Sequence, residues 1–256
     1  MPFVMKLLRR KIDEYLKAWK DNKDRMPLVV KGARQVGKTA SILQFAHDNY
    51  KNVVAINFVL QQKYKAIFDD GYEVDDIVRN LTLIDPSIKI EDGNTLIFFD
   101  EMQDCPACAT CLKAFKIDGR YDVICSGSLM GINYREIESN SVGYKEDYTM
   151  HSMGFEEFLW AKGYDDAFVE RLYGKMVSVK PLSNIEMDVL GRLFREYMTI
   201  GGMPAVVNTL VTNGNFSGTL KMQRQLLLDY EEDITKYAQD RKSTRLNSSH
   251  LGISYA

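Results

Sequence analysis

The sequence predicts an α/β domain built on a doubly wound parallel sheet and followed by a smaller helical region. Three observations point there. Short β-prone runs alternate with helical patterns over residues 27–150, the alternation that lays crossover helices on both faces of a parallel sheet. Residues 95–100, Thr-Leu-Ile-Phe-Phe-Asp, form a nearly continuous apolar run, as a strand covered on both faces requires. Beyond about Ser152 the strand signals fade, and helical patterns continue to Gln239.

Taken in order, residues 5–19 place Leu8, Ile12, Tyr15, Leu16 and Trp19 at helical spacing, with Lys and Arg on the other face. Residues 27–31 are a first strand, and residues 39–49 a helix reached through a glycine-containing turn. A second strand is expected at 52–58, polar helical segments around 64–68 and 74–83, and the buried strand at 95–100. A helix at 108–115, a buried strand at 121–126 and a fifth strand at 144–150 complete the sheet. Helices at 155–160, 185–198 and 220–238 make the second region. The expected organisation is an N-terminal helix at 1–24, a core at 25–152, a helical region at 153–239 and a distinct tail at 240–256.

That tail is Ser/Asn-rich and lacks sustained periodicity. Asp240 to His250 match, residue for residue, the in-frame translation of a common short-read sequencing adapter. Leu251 and Gly252 occupy the place of its index, and Ile253 to Ala256 match its continuation. Native sequence is therefore expected to stop near Gln239 and the natural C-terminus to be missing. The full chain has 33 Lys+Arg against 35 Asp+Glu; without residues 240–256 it has 30 against 34, a net charge of −4. No global basic field for gripping nucleic acid exists at either length. No apolar run approaches the ~20 residues that span a bilayer, and no secretory signal opens the chain. Four cysteines in a chain this long suit a reducing compartment, so a cytoplasmic protein with no membrane partner is expected.

The chemistry concentrates in Gly32-Ala33-Arg34-Gln35-Val36-Gly37-Lys38-Thr39, which fits G-x-x-x-x-G-K-[ST], the phosphate-binding loop. Glycines let the backbone wrap close to phosphates, so that successive amides and a helix N-terminus face the anion. Lys38 is expected to bridge β- and γ-phosphate oxygens and the Thr39 hydroxyl to ligate Mg²⁺; Ala40 completes the nucleotide-binding set. Asp100 and Glu101 close the buried strand at the end where ligands of open α/β sheets bind. Asp100 then holds Mg²⁺, directly or through its water shell, and Glu101 polarises an attacking water.

Ser126, ending the next strand before Gly127-Ser128, either senses a γ-phosphate or positions the water, or simply forms a turn. Asn57 is a weaker candidate of the same kind. Cys105, Cys108 and Cys111 form C-x₂-C-x₂-C, but the same spacing also sets small residues along one side of a helix, and no fourth metal ligand is evident beyond Cys125. Arg135, Arg192 and Arg195 are candidate arginines for a hydrolytic site. Arg34 and Gln35 have no role that spacing assigns.

The loop at 32–39, Phe99-Asp-Glu-Met-Gln103, Ser126-Gly-Ser-Leu129, Gly154-Phe-Glu-Glu-Phe-Leu159 and Gly201-Gly-Met-Pro204, in this order, resemble bacterial and archaeal AAA-type ATPases whose core precedes a C-terminal domain of unknown function. The resemblance spans roughly residues 10–239. It implies a P-loop ATPase fold, ATP and Mg²⁺ as ligands, the roles given above for Lys38, Thr39, Asp100 and Glu101, and residues 201–204 as the start of the segment leading into the C-terminal domain. The expected function is Mg²⁺-dependent ATP binding and hydrolysis coupled to a conformational change, with a protein partner or self-association in prospect. Two competitors remain: a nucleotide-gated binding module with negligible turnover, and a small-molecule kinase. A third is a DNA-associated protein using Lys6, Arg9, Arg10 and Lys11, against which stands the plainer reading of those residues as a solvated helix face.

Overall fold

A computed structural model describes residues 7–128 and 143–249 of the chain. Five parallel strands form one sheet: β1 (Leu28–Gly32), β2 (Asn52–Asn57), β3 (Thr95–Asp100), β4 (Asp122–Ser128) and β5 (Glu146–Met150). Their spatial order is β2-β3-β4-β1-β5. The chain therefore leaves β1 for the far edge, returns through β3 and β4, and finally crosses β1 to add β5.

Helices cover both faces. On one lie α1 (Lys11–Asp21) and α2 (Lys38–Asn49); on the other, a 3₁₀ segment (Gln62–Phe68), α3 (Val74–Ile84) and α4 (Ala107–Asp118). The apolar run of β3 is divided by the period-2 alternation of strand side chains. Leu96 and Phe98 pack with Ile12, Leu16 and Ile42, whereas Ile97 and Phe99 pack with Ile67, Ile77 and Leu112. This is why the run shows no alternation of polarity: both faces are core.

The helical region contains α5 (Phe155–Ala161), α6 (Asp166–Val177), α7 (Asn184–Ile200), α8 (Pro204–Asn213) and α9 (Thr219–Ser249). It has its own apolar cluster, centred on Phe158, Leu193, Val206 and Val207. Two of these helices have weak sequence signals. In α6 the apolar stripe of Phe168, Val169 and Leu172 packs only partly buried against this cluster, and no residue of the helix is fully buried. In α8 the β-branched run resembles a strand, and Pro204 at the first helical position decides for helix.

Other boundaries differ from expectation as well. The first helix starts at Lys11, because Arg10 caps it through Asp13, whose carboxylate accepts the Arg10 N–H at 2.8 Å. β4 runs on to Ser128. The last helix continues past Gln239 to Ser249, since neither Pro nor Gly occurs from Thr219 to Leu251 and Lys, Arg and Leu are good helix formers. No helix among the described residues is long and apolar enough to cross a membrane.

Candidate nucleotide site

Gly32 ends β1 beside Met150 of β5, where an added Cβ would sit 2.3 Å from the Met150 carbonyl oxygen. Nothing flexible can move aside there, so the first glycine of the loop is required by the neighbouring strand before any phosphate arrives. Gly37 takes φ 99° as the N-cap of α2, a conformation that side chains disfavour. Between them Gln35 also lies at positive φ, 60°. The loop thus turns sharply twice and aims the N-terminus of α2 at the open space above β1 and β4.

Lys38 is 7% exposed and donates to the Gly32 and Ala33 carbonyls at 3.0 and 2.7 Å. Burial pushes its ammonium below the usual lysine range, while Glu101 and Asp100 pull it back up. Asp100, 5% exposed at the tip of β3, collects four donors. Thr39 Oγ1 reaches its two oxygens at 3.1 and 3.2 Å, Asn57 Nδ2 donates at 2.9 Å, the Glu101 N–H at 3.2 Å, and Ser126 Oγ donates to Oδ1. Parallel pairing explains the convergence, because Asn57 and Asp100 are register partners and Ser126 follows the Phe99 partner Cys125.

Glu101, immediately beyond β3, adopts φ 56° and ψ 49°, a left-handed conformation that costs a non-glycine residue about 1–2 kcal/mol. Gln103 holds it there: Nε2 donates to the Glu101 carboxylate, and Oε1 accepts the Ser128 N–H at 3.3 Å. Glu101, the loop and Asn57 line a cavity of about 690 Å³. Leu7, Leu8, Val59, Leu60, Pro204 and Ala205 add an apolar wall, with Arg10 and Asn208 also lining the cavity, and Pro204 stands close to Gly37 of the loop. The Gly201-Gly-Met-Pro204 segment sets that wall in place. Met153 N donates to the Gly202 carbonyl at 2.7 Å, and a Cβ on Gly202 would lie 2.1 Å from Met153 O, which leaves α8 over the loop.

The profile of the AAA domain matches residues 24–159, more than half of the chain. The chain belongs to the AAA domain family. AAA domains are nucleotide-binding ATPase modules, and a second profile, a domain of unknown function (DUF8612), matches residues 191–250. No curated protein matches significantly in sequence. Among solved structures the chain is similar to C. elegans PCH-2, at 12% identity and TM-score 0.45, over 80% of this chain and 63% of that one. It is also similar to the Aeropyrum pernix ORC1 protein in complex with DNA, at 12% identity and TM-score 0.39, over 60% and 48% of the two chains. AMPPCP-bound DnaA from Aquifex aeolicus is a third, at 12% identity and TM-score 0.38, over 73% and 66%. The chain spans less than two thirds of the length of each.

Within this AAA domain the expected residues do not all meet the cavity. Arg34, Gln35, Gly37, Lys38, Thr39, Ala40, Asn57 and Glu101 line it, whereas Ser126 is fully buried behind Asp100. Arg192 and Arg195 are exposed on α7 and do not line it; Arg135 lies outside the described residues. Cys105, Cys108, Cys111 and Cys125 are all free and buried in the core beneath α4, and no group of three or more metal-ligating side chains occurs among the described residues.

The described members of the basic N-terminal cluster make contacts within the protein. Arg9 pairs with Asp166 and Glu14 and stacks on Trp160, Lys11 pairs with Glu156, and Arg10 is buried; Lys6 lies outside the described residues. Two contacts of the phosphate loop escaped sequence reasoning. Gln35 Nε2 donates to Asp229 at 2.8 Å, and the Tyr230 hydroxyl donates to the Arg34 carbonyl at 2.6 Å. Both partners belong to α9, almost two hundred residues away, where no local pattern marks them.

Proposed function

We propose that this chain binds ATP with Mg²⁺ and hydrolyses it, and that the hydrolytic cycle changes how α9 sits on the phosphate loop. The observation that carries this is the contact of Thr39 Oγ1 with both oxygens of Asp100 at 3.1 and 3.2 Å, directly beside Lys38 and Glu101. Two oxygens on adjacent corners of a Mg²⁺ octahedron, with bonds of 2.0–2.1 Å, lie about 3 Å apart, so this donor pair fits the ion. Thr39 and Asp100 would hold it. Held there, the ion would supply positive charge against the negative charge that develops on the transferring phosphate.

The remaining steps fall to side chains. Lys38 exchanges the Gly32 and Ala33 carbonyls for phosphate oxygens. Glu101, at the cavity edge, accepts the proton of the attacking water. Asn57 and Ser126 keep Asp100 oriented. The apolar lining from Leu7, Leu8, Val59, Leu60, Pro204 and Ala205 suits a nucleobase, with the triphosphate against the glycine-rich loop. Because α9 grips Arg34 and Gln35, a phosphate that reorganises the loop also perturbs that helix.

ATP binding and turnover of the wild type, Lys38→Ala and Glu101→Gln test this. Lys38→Ala is expected to abolish measurable ATP binding, and Glu101→Gln to bind ATP while losing turnover. Wild-type affinity in Lys38→Ala would sink the assignment. A wild type that binds ATP without a chemical step in single-turnover kinetics is instead a nucleotide-gated module, and acceptor-dependent phosphoryl transfer would mark a kinase.

A further inference from the structure

A buried ion pair that the proposed chemistry does not use lies against the phosphate loop, with Arg10 also reaching the cavity wall. Arg10 and Glu157 expose 4% and 7% of their side chains and meet with Nε 3.0 Å from Oε1. Arg10 Nη1 donates to the carbonyl of Val36 within the loop, and Nη2 to the carbonyl of His151, just past β5, at 2.8 Å. Glu157 Oε1 also accepts the Lys11 N–H at 2.8 Å, and its Oε2 the Gly154 N–H at 2.9 Å. One pair therefore ties together the start of α1, the turn of the phosphate loop, the end of β5 and the first turn of α5.

The position is demanding for a physical reason. A loop that aims its amides inward at an anion turns carbonyls outward. Val36 is 2% exposed, so its carbonyl has no ready access to water and needs a protein donor. The guanidinium supplies donors in fixed directions to Val36, His151 and Glu157 at once, which the single nitrogen of a lysine cannot do from one place. Arg10 Nη1 also approaches Gly37: a Cβ there would come within 3.2 Å of it. Any shift of the guanidinium is felt at both Val36 and Gly37.

We propose that Arg10, held by Glu157, is a positioning residue that sets the phosphate loop in its anion-binding shape and couples nucleotide occupancy to the docking of α1 against α5. This rests on the nucleotide-binding function proposed above. The coupling is reciprocal: whatever the clamp lends to nucleotide affinity, bound nucleotide returns to the clamp.

The test uses the full 256-residue chain, a fluorescent ATP analogue to measure affinity, steady-state turnover, and amide hydrogen exchange of α1 with and without MgATP. Arg10→Lys is expected to raise Kd and KM about tenfold while kcat at saturation stays within about twofold, because Lys38, Thr39, Asp100 and Glu101 are untouched. Adding Glu157→Gln to Arg10→Lys is expected to weaken binding no further, since the two act as one unit. In the wild type, MgATP is expected to slow exchange across Lys11–Asp21. That measurement decides alone where the Arg10 variant does not fold. Wild-type affinity in Arg10→Lys, with or without an earlier melting transition, overturns the positioning role and leaves a purely structural pair. Unchanged α1 exchange in a wild type that binds ATP overturns only the clamp. A wild type that binds no ATP overturns the nucleotide-binding function, and the clamp with it.

Discussion

Ser126→Ala separates two roles that the same residue could have. The hydroxyl is fully buried and donates to Asp100, a carboxylate that is itself 5% exposed and surrounded by the donors of Thr39, Asn57 and the Glu101 backbone. Removing one donor to a charged acceptor costs about 1.5–3 kcal/mol, and no water channel is needed for the alanine methyl, which fits where the serine was. For a chain of this length that corresponds to a fall in melting temperature of roughly 3–6 °C. Three donors remain on Asp100, so MgATP affinity is expected to fall by no more than about threefold, through looser orientation alone. The assay is thermal unfolding alongside ATP affinity and turnover, repeated in Asp100→Asn and in the double variant. Because Asp100→Asn has already replaced the charged acceptor, the two losses of stability should fall short of additive by about 1 kcal/mol or more. A Ser126→Ala protein that melts like the wild type but has lost turnover would refute this reasoning, and would move the hydroxyl from Asp100 to the nucleotide.

Three further outcomes are expected. Gly32→Ala must push either β1 or β5 aside, because the 2.3 Å approach is to a backbone carbonyl; a loss of about 2 kcal/mol or more in denaturant unfolding checks it, and wild-type stability would show that the strands can part freely. Lys38 loses its proton below the usual lysine range, so ATP affinity should fall as pH rises through that lowered value, and binding in that window should take up a proton. Glu101→Gln removes the largest opposing influence and should move the fall to still lower pH, which affinity measured between about pH 7 and 10 can follow. The Cys108 thiol is raised by its hydrogen bond with Cys125 and by burial, and Cys111 by burial, so alkylation at mildly alkaline pH should spare both until denaturant is added; rapid native-state labelling of either would contradict their packing.

The sheet was legible because its signals are local and redundant. In β3, six consecutive buried residues and a terminal acid identify both the strand and its ligand-facing end. The glycine pattern locates the loop, and the one-residue offset from strand tip to Glu101 follows from chain order. What stayed hidden depends on contacts between distant segments. Nothing in Lys6 to Lys11 distinguishes Arg10 from its basic neighbours, although the residue that opens an amphipathic helix often faces the domain behind it. Glu157 stands at the third position of α5, where its carboxylate closes a capping arrangement with the Gly154 N–H, and that sequence cue is available in Gly154-Phe-Glu-Glu. The helix α6 is weakly marked because its apolar residues Phe168, Val169 and Leu172 are only partly buried.

The two sets of contacts on the phosphate loop differ in kind, and the difference suggests where movement resides. Arg10 and Glu157 are almost completely buried, and separating them would strand a charge at a cost of about 3–5 kcal/mol, which makes that side a fixed support. Gln35 with Asp229 is exposed, and Tyr230 with the Arg34 carbonyl only partly buried, so each is worth about 1 kcal/mol and can be exchanged for water. A triphosphate entering the loop also brings negative charge toward Asp229. The exposed side should therefore yield first, with α9 releasing the loop while α1 stays docked. Hydrogen exchange distinguishes the two: with MgATP bound, the α9 amides around Asp229 and Tyr230 should exchange faster while those of α1 exchange more slowly. Equal protection of both helices would mean that nucleotide tightens the whole assembly and that α9 is not the moving part.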